Sequence, residues 1–144
     1  MFVHVVLLAA LQDPDLAPEA KLDEIGYAMR TPAGWKQVDS PPPAIFKVLA
    51  PDGKLAKGDL LAMKFSPEEP MTAKIMGAKN LDWYKRNYAG FELKSDEEVK
   101  VGGCPATRLA GVHKETACWR ISIERSPSEF YFLDLQCDAK SFDE

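Results

Sequence analysis

From Ala117 to Cys137 two apolar-alternating runs, A-C-W-R-I-S-I-E-R and F-Y-F-L-D-L-Q-C, flank the turn residues Ser126-Pro127-Ser128. Few arrangements satisfy both runs at once. Side chains alternate faces along a strand, so slipping the pairing by one residue would turn every apolar group outward. Keeping Trp119, Ile121 and Ile123 on one face with Tyr131, Leu133 and Leu135 requires Trp119 opposite Leu135, Ile121 opposite Leu133 and Ile123 opposite Tyr131. A three-residue turn at 126–128, pairing Arg125 with Glu129, gives that register. The same register sets Arg120 against Asp134, a favourable cross-strand charge pair. It places Cys118 opposite Gln136 and Cys137 opposite Ala117, so the two thiols point to opposite faces and are not expected to bond. Phe130 and Phe132 fall on the second face, which therefore also needs cover.

The rest of the chain extends this pattern. Tyr27 and Met29 open a strand that stops at Pro32 and Gly34, and Trp35 follows as a core plug. Ala44–Ala50 and Asp59–Phe65 read as a hairpin around Pro51-Asp52-Gly53. Ser40-Pro41-Pro42-Pro43 cannot lie in a central strand, because proline donates no ladder hydrogen bond. From Thr72, a good N-cap, the period becomes helical up to Tyr88. Ile75, Ala78, Leu81, Tyr84 and Tyr88 form its expected apolar stripe, and Ala89-Gly90 its stop. Beyond Phe91 strands return: Glu98–Val101, a tight Gly102-Gly103 turn, Pro105–Val112, then the hairpin.

Residues 2–11, F-V-H-V-V-L-L-A-A-L, are too few to span a bilayer, which takes ~20 residues in a helix. They match the ~7–15-residue apolar core of a secretory signal. No Lys or Arg precedes the run, and no cysteine follows it to carry a lipoprotein anchor. The other reading is a buried first strand built on Val3, Val5 and Val6. With residues 1–11 taken as a signal peptide, residues 12–24 form a linker turning helical over 18–24, and residues 25–144 form a single domain. The expected location is then the cell envelope, periplasmic, or outside the cell.

The motif from Tyr27 to Trp35, the helix residues Leu81 to Tyr88, the V-x-V-G-G-x-P-A turn within Val99 to Leu109, and Phe130 to Leu135 resemble the PsbP-like superfamily over about residues 25–137. That superfamily includes DcrB-type envelope proteins and Ran-binding Mog proteins. The resemblance implies an α+β fold: an α/β/α sandwich around a mostly antiparallel sheet of about six strands, with one main helix at about 72–88. Its members usually close with a C-terminal helix. Here Ser141-Phe142-Asp143-Glu144 looks like that helix's N-cap and first turn, so the element is read as missing or truncated. The superfamily serves as accessory subunits and shares no catalytic constellation.

Charge and motifs narrow the chemistry. With 18 basic and 22 acidic residues the chain is mildly acidic, which argues against a nucleic-acid binder. His113 with Cys104 or Cys118 is a Cys–His pair only in principle, since no nucleophile motif surrounds either thiol. His113, Glu115 and a cysteine match no zinc spacing. Pro51-Asp52-Gly53 lacks the acidic density of a calcium loop, and Gly102-Gly103 does not open a helix, as a phosphate cradle would. No catalytic, cofactor or metal residue is therefore assigned. Trp83, off the central stripe, and Phe130 and Phe132 are the candidate interaction surface. The function expected is a small non-enzymatic exported domain that binds a protein partner and does not span the membrane. The alternative is a carrier holding an apolar molecule between helix and sheet, which unfilled volume near Tyr84, Trp119 and Tyr131 would favour.

Overall fold

The computed structural model describes residues 3–6, 20–22, 27–30, 34–39, 42, 44–49 and 59–141. In chain order the elements are β1 (Val3–Val6), β2 (Ala20–Leu22), β3 (Tyr27–Arg30), β4 (Lys36–Val38), β5 (Ala44–Leu49), β6 (Asp59–Phe65), α1 (Ala73–Asn87), β7 (Glu92–Val101), β8 (Cys104–His113), β9 (Thr116–Ser126), β10 (Glu129–Asp138) and a closing 3₁₀ turn, Ala139–Ser141. Seven strands form one antiparallel sheet in the order β4-β5-β6-β10-β9-β8-β7. The α+β class is as expected, with one strand more than the six anticipated. Of the two helical layers implied by the resemblance, the described residues contain one.

The hairpin takes the register the alternation demands, with Trp119 opposite Leu135, Ile121 opposite Leu133, Ile123 opposite Tyr131 and Arg120 opposite Asp134. Its turn differs. Glu129 pairs with Ser126 and Phe130 with Glu124, leaving Arg125 bulged over a two-residue Pro127-Ser128 turn. Proline holds φ negative, so the tight turns whose twist matches a hairpin are closed to Pro127. A bulge adds the missing twist and restores register. At the β7–β8 turn both glycines take positive φ, +56° at Gly102 and +82° at Gly103, and two residues suffice there.

Outside the seven-stranded sheet, β3 pairs in parallel with β1 and antiparallel with β2. The 3–6 segment thus takes the strand form that was the alternative to a signal core. Residues 20–22, expected within a helical turn, are extended instead: a few residues cannot meet the cost of helix nucleation, whereas β3 offers a ready ladder. The linker residues 12–19, the 51–53 turn and residues 142–144 lie outside the described residues.

Both faces of the main sheet carry a core. One holds Val48, Ala62, Cys104, Ala106, Ile123, Tyr131 and Leu133, with Trp35, Val99, Val101, Ile121 and Leu135 packed against them. Gly34 turns the chain into Trp35 with φ +85°, a conformation other residues adopt at a cost. The Tyr131 ring is 1% exposed, and its hydroxyl accepts from Arg125 Nη1 at 2.8 Å and donates to Glu129 Oε1 at 3.1 Å.

The opposite face lies under α1. Thr72 caps the helix, its Oγ1 accepting from Ile75 N at 3.4 Å, and the Glu124 carboxylate of β9 accepts from Ala73 N at 2.6 Å. Met71 N donates to Pro127 O at 2.9 Å, so the helix start is tied to the hairpin. A carboxylate here also meets the positive end of the helix dipole.

The buried stripe of α1 is Ala73, Met76, Gly77, Asn80 and Tyr84, rotated from the expected one, and Ile75 is left 48% exposed. The residues that settle the rotation are not apolar. Gly77 admits Thr107 so closely that an added Cβ would lie 2.9 Å from its Cγ2, and Asn80 Nδ2 donates to Ser122 Oγ at 2.8 Å. Gly77→Ala should destabilise the fold by about 1–3 kcal/mol through overpacking, although alanine favours an isolated helix by about 1 kcal/mol. Urea unfolding checks this, and a variant more stable than the parent would contradict the close approach.

Candidate functional site

Under α1, the helix-facing side chains of β9 and β10 form a polar chain within an aromatic shell. Arg120 donates twice to Asp134, Nε to Oδ1 and Nη2 to Oδ2, both at 2.6 Å, and its Nη1 reaches Asn80 Oδ1 at 3.3 Å. Asn80 continues to Ser122, which is 1% exposed. The Arg120 guanidinium carbon lies 4.9 Å from the ring centre of Phe132, 5.4 Å from Tyr84 and 5.5 Å from Trp83. Both side chains of the ion pair are 12% exposed. Burial works against the guanidinium's charge, but the hydrogen bonds and charge of Asp134 outweigh it and hold Arg120 above its ordinary value.

Toward the C-terminal end of α1 a cleft of about 120 Å³ opens, lined by Tyr84, Tyr88, His113, Thr116, Cys118 and Gln136. Tyr84 stacks on Tyr88 at 5.6 Å and on Phe91 at 5.1 Å, and the His113 ring lies 5.1 Å from Tyr88. Cys118 donates to Gly111 O at 3.5 Å. Its thiol is pushed up to about 11, first by burial and then by the Asp134 charge. Burial also raises the Tyr84 hydroxyl. His113 and Cys118 thus share a cleft, but the thiol is a neutral hydrogen-bond donor and not a thiolate. Cys104 belongs to the core of the other face. Among the described residues no group of three His, Cys, Asp or Glu side chains is placed to hold a metal ion.

The three candidate interaction residues separate. Trp83 is 43% exposed, its edge against Tyr84 and Tyr88. Phe130 and Phe132 are not a surface: they are 0% and 6% exposed, packed with Ala73 and Met76 of α1. The helix supplies the cover their face required. The exposed aromatic beside them is Phe65 of β6, 41% exposed and stacked on Phe132 at 5.2 Å. Its signal was the β6–β10 pairing, which sets Phe65 opposite Phe130 and cannot be read from either strand alone. By register, Leu49, which is 39% exposed, lies on this same face beyond α1. Trp83, the Arg120–Phe132 pair and Phe65 thus make a row from helix to sheet.

No family model matches the sequence, and no curated protein matches it. Several solved structures do. CyanoP, the cyanobacterial PsbP of Synechocystis sp. PCC 6803, aligns with a TM-score of 0.63 at 16% identity, over 94% of this chain and 87% of its own. The fold is PsbP-like. PA94, a Pseudomonas aeruginosa protein of unknown function described as a candidate regulator, aligns with a TM-score of 0.60 at 18% identity, over 88% of this chain and 85% of its own. At these identities the likeness is one of fold.

Arg120→Ala or Asp134→Ala should each cost about 3–5 kcal/mol, because either leaves a buried charge unpaired. The double change Arg120→Met with Asp134→Leu should restore most of that stability. Chemical unfolding of the three variants decides, and a single variant as stable as the parent would refute the pair's role. The raised Cys118 thiol makes a second prediction. The unfolded chain releases this proton near the ordinary thiol value of 9.0, the folded one near 11. The stability conferred by the neutral thiol is therefore intact below pH 9 and is lost as pH climbs toward 11. Cys118→Ala should flatten the fall in stability over that window, and an unchanged slope would contradict it.

Proposed function

We propose that this chain is a small, non-enzymatic accessory domain that acts by binding another protein through the rim where Trp83 and Phe65 emerge. The observation that carries this reading is a pair of partly exposed aromatics, Trp83 at 43% and Phe65 at 41%, at the two ends of the buried Arg120–Phe132 contact. Large apolar groups gathered beside a packed core, with Leu49 farther along the same sheet face, are what protein contact sites present. The PsbP-like fold, whose superfamily supplies accessory subunits, supports it. The proposal includes export, on the reading of the apolar run at residues 2–11 as a signal core; its removal would take β1 away and leave β3 paired with β2. Among the described residues no helix is long and apolar enough to cross a membrane.

The described residues do not favour the carrier alternative. The cleft near Tyr84 holds about 120 Å³, against roughly 300–1,000 Å³ for ordinary small-molecule sites.

Affinity capture from the native membrane fraction should recover one protein with the parent chain and lose it with Phe65→Ser or Trp83→Ser. No recovery above background would overturn the reading. Mass spectrometry of the mature N-terminus tests export separately: cleavage near residue 11 is expected, and an intact Met1 would remove the envelope assignment.

A further inference from the structure

The outward crest of α1 has a different chemistry from the aromatic seam. The helix carries Lys74, Lys79, Lys85 and Arg86 against Asp82 alone, while the rest of the chain holds fourteen basic and twenty-one acidic residues. All five charged side chains are exposed. Lys74 pairs with Glu98 and Arg86 with Asp82; among the described residues Lys79 and Lys85 make no ion pair. Ile75, Lys79 and Trp83, spaced four apart, step from the outward face round to the rim, where Trp83 packs over Arg120, and the two apolar groups are 48% and 43% exposed.

The geometry points to the outward face of α1 as a docking surface for an anionic lipid bilayer. Charge complementarity carries it: a cationic ridge on a protein of net charge −4 concentrates attraction at one place. Shape favours a bilayer over an acidic protein. The helix is a convex ridge roughly 22 Å long, which a flat surface meets along its length, whereas a protein anchor would be expected to fill a pocket. Ile75 stands among the cations of the crest, and Trp83 stands at its rim on the side of Lys79. An indole resting at headgroup depth, with ammonium groups reaching phosphates beside it, is the arrangement of interfacial helices. This surface shares Trp83 with the protein-partner reading but not Phe65, so Phe65→Ser, which should abolish capture of a protein, should leave vesicle binding intact.

The test uses the full chain with vesicles of phosphatidylcholine alone or mixed with phosphatidylglycerol. Binding to the mixed vesicles only is expected, with release as NaCl rises from roughly 0.05 to 0.5 M. Each cation near an anionic surface contributes about five-fold in affinity, so Lys79→Ala with Lys85→Ala should weaken binding about 25-fold. Circular dichroism should show this variant folded like the parent. The Trp83 emission, taken as the parent spectrum minus that of Trp83→Phe, should shift to the blue on binding. Absence of binding to anionic vesicles at low salt, or binding indifferent to Lys79 and Lys85, would overturn the proposal. So would displacement by soluble polyglutamate with no Trp83 shift, which would assign the crest to an acidic protein instead.

Discussion

The structure depends on how α1 is fixed to its sheet, and the fixing is largely polar. Arg120 is held by Asp134 across the β9–β10 ladder and reaches Asn80 of the helix, which in turn reaches Ser122. At the helix start, Glu124 binds the Ala73 amide and Pro127 binds that of Met71. The hydrogen-bonding anchors on the sheet side all come from one hairpin, while Thr107 of β8 meets Gly77 and Glu98 of β7 pairs with Lys74 at the surface. Apolar contact alone would leave a helix free to roll by a residue, since dispersion and area burial have little direction. Hydrogen bonds with defined partners remove that freedom.

From this attachment the rest of the helix-side face follows. With Asn80 and Gly77 inward, Met76 and Ala73 must cover Phe130 and Phe132, and Tyr84 must fill the space above Leu109 and Cys118. Trp83 is brought over Arg120 at the rim, and Ile75 and the lysines turn outward. The two surfaces proposed for contact, the aromatic rim and the cationic crest, are both consequences of one helix rotation.

Much of this was legible in the sequence, and the reason it was legible is physical. Strand alternation has a period of two, so the pairing of Trp119 with Leu135 and of Arg120 with Asp134 followed from which residues are apolar. Thr72 and the helical period bounded α1 to within a residue. The helix face was misread because apolar counting gives Gly77 and Asn80 no weight, although one is needed for close approach and the other for a buried hydrogen bond. The turn at Pro127 was misread because a bulge leaves alternation intact further along both strands. Phe130 and Phe132 could be placed on the second face, but what covers that face depends on where the helix lands. Phe65 at the seam needed the pairing of β6 with β10, two strands about 65 residues apart along the chain.

Amide hydrogen exchange tests the central claim most directly, since it reads whether α1 opens with the hairpin or apart from it. The account predicts that the amides of Ala73 to Asn87 in the middle of the helix exchange at the same slow rates as those of β9 and β10, as one cooperative unit. It predicts further that Asn80→Ala speeds exchange in the helix while leaving the hairpin protected. Helix amides that exchange far faster than the hairpin in the parent protein would show that the polar network does not hold α1 in place.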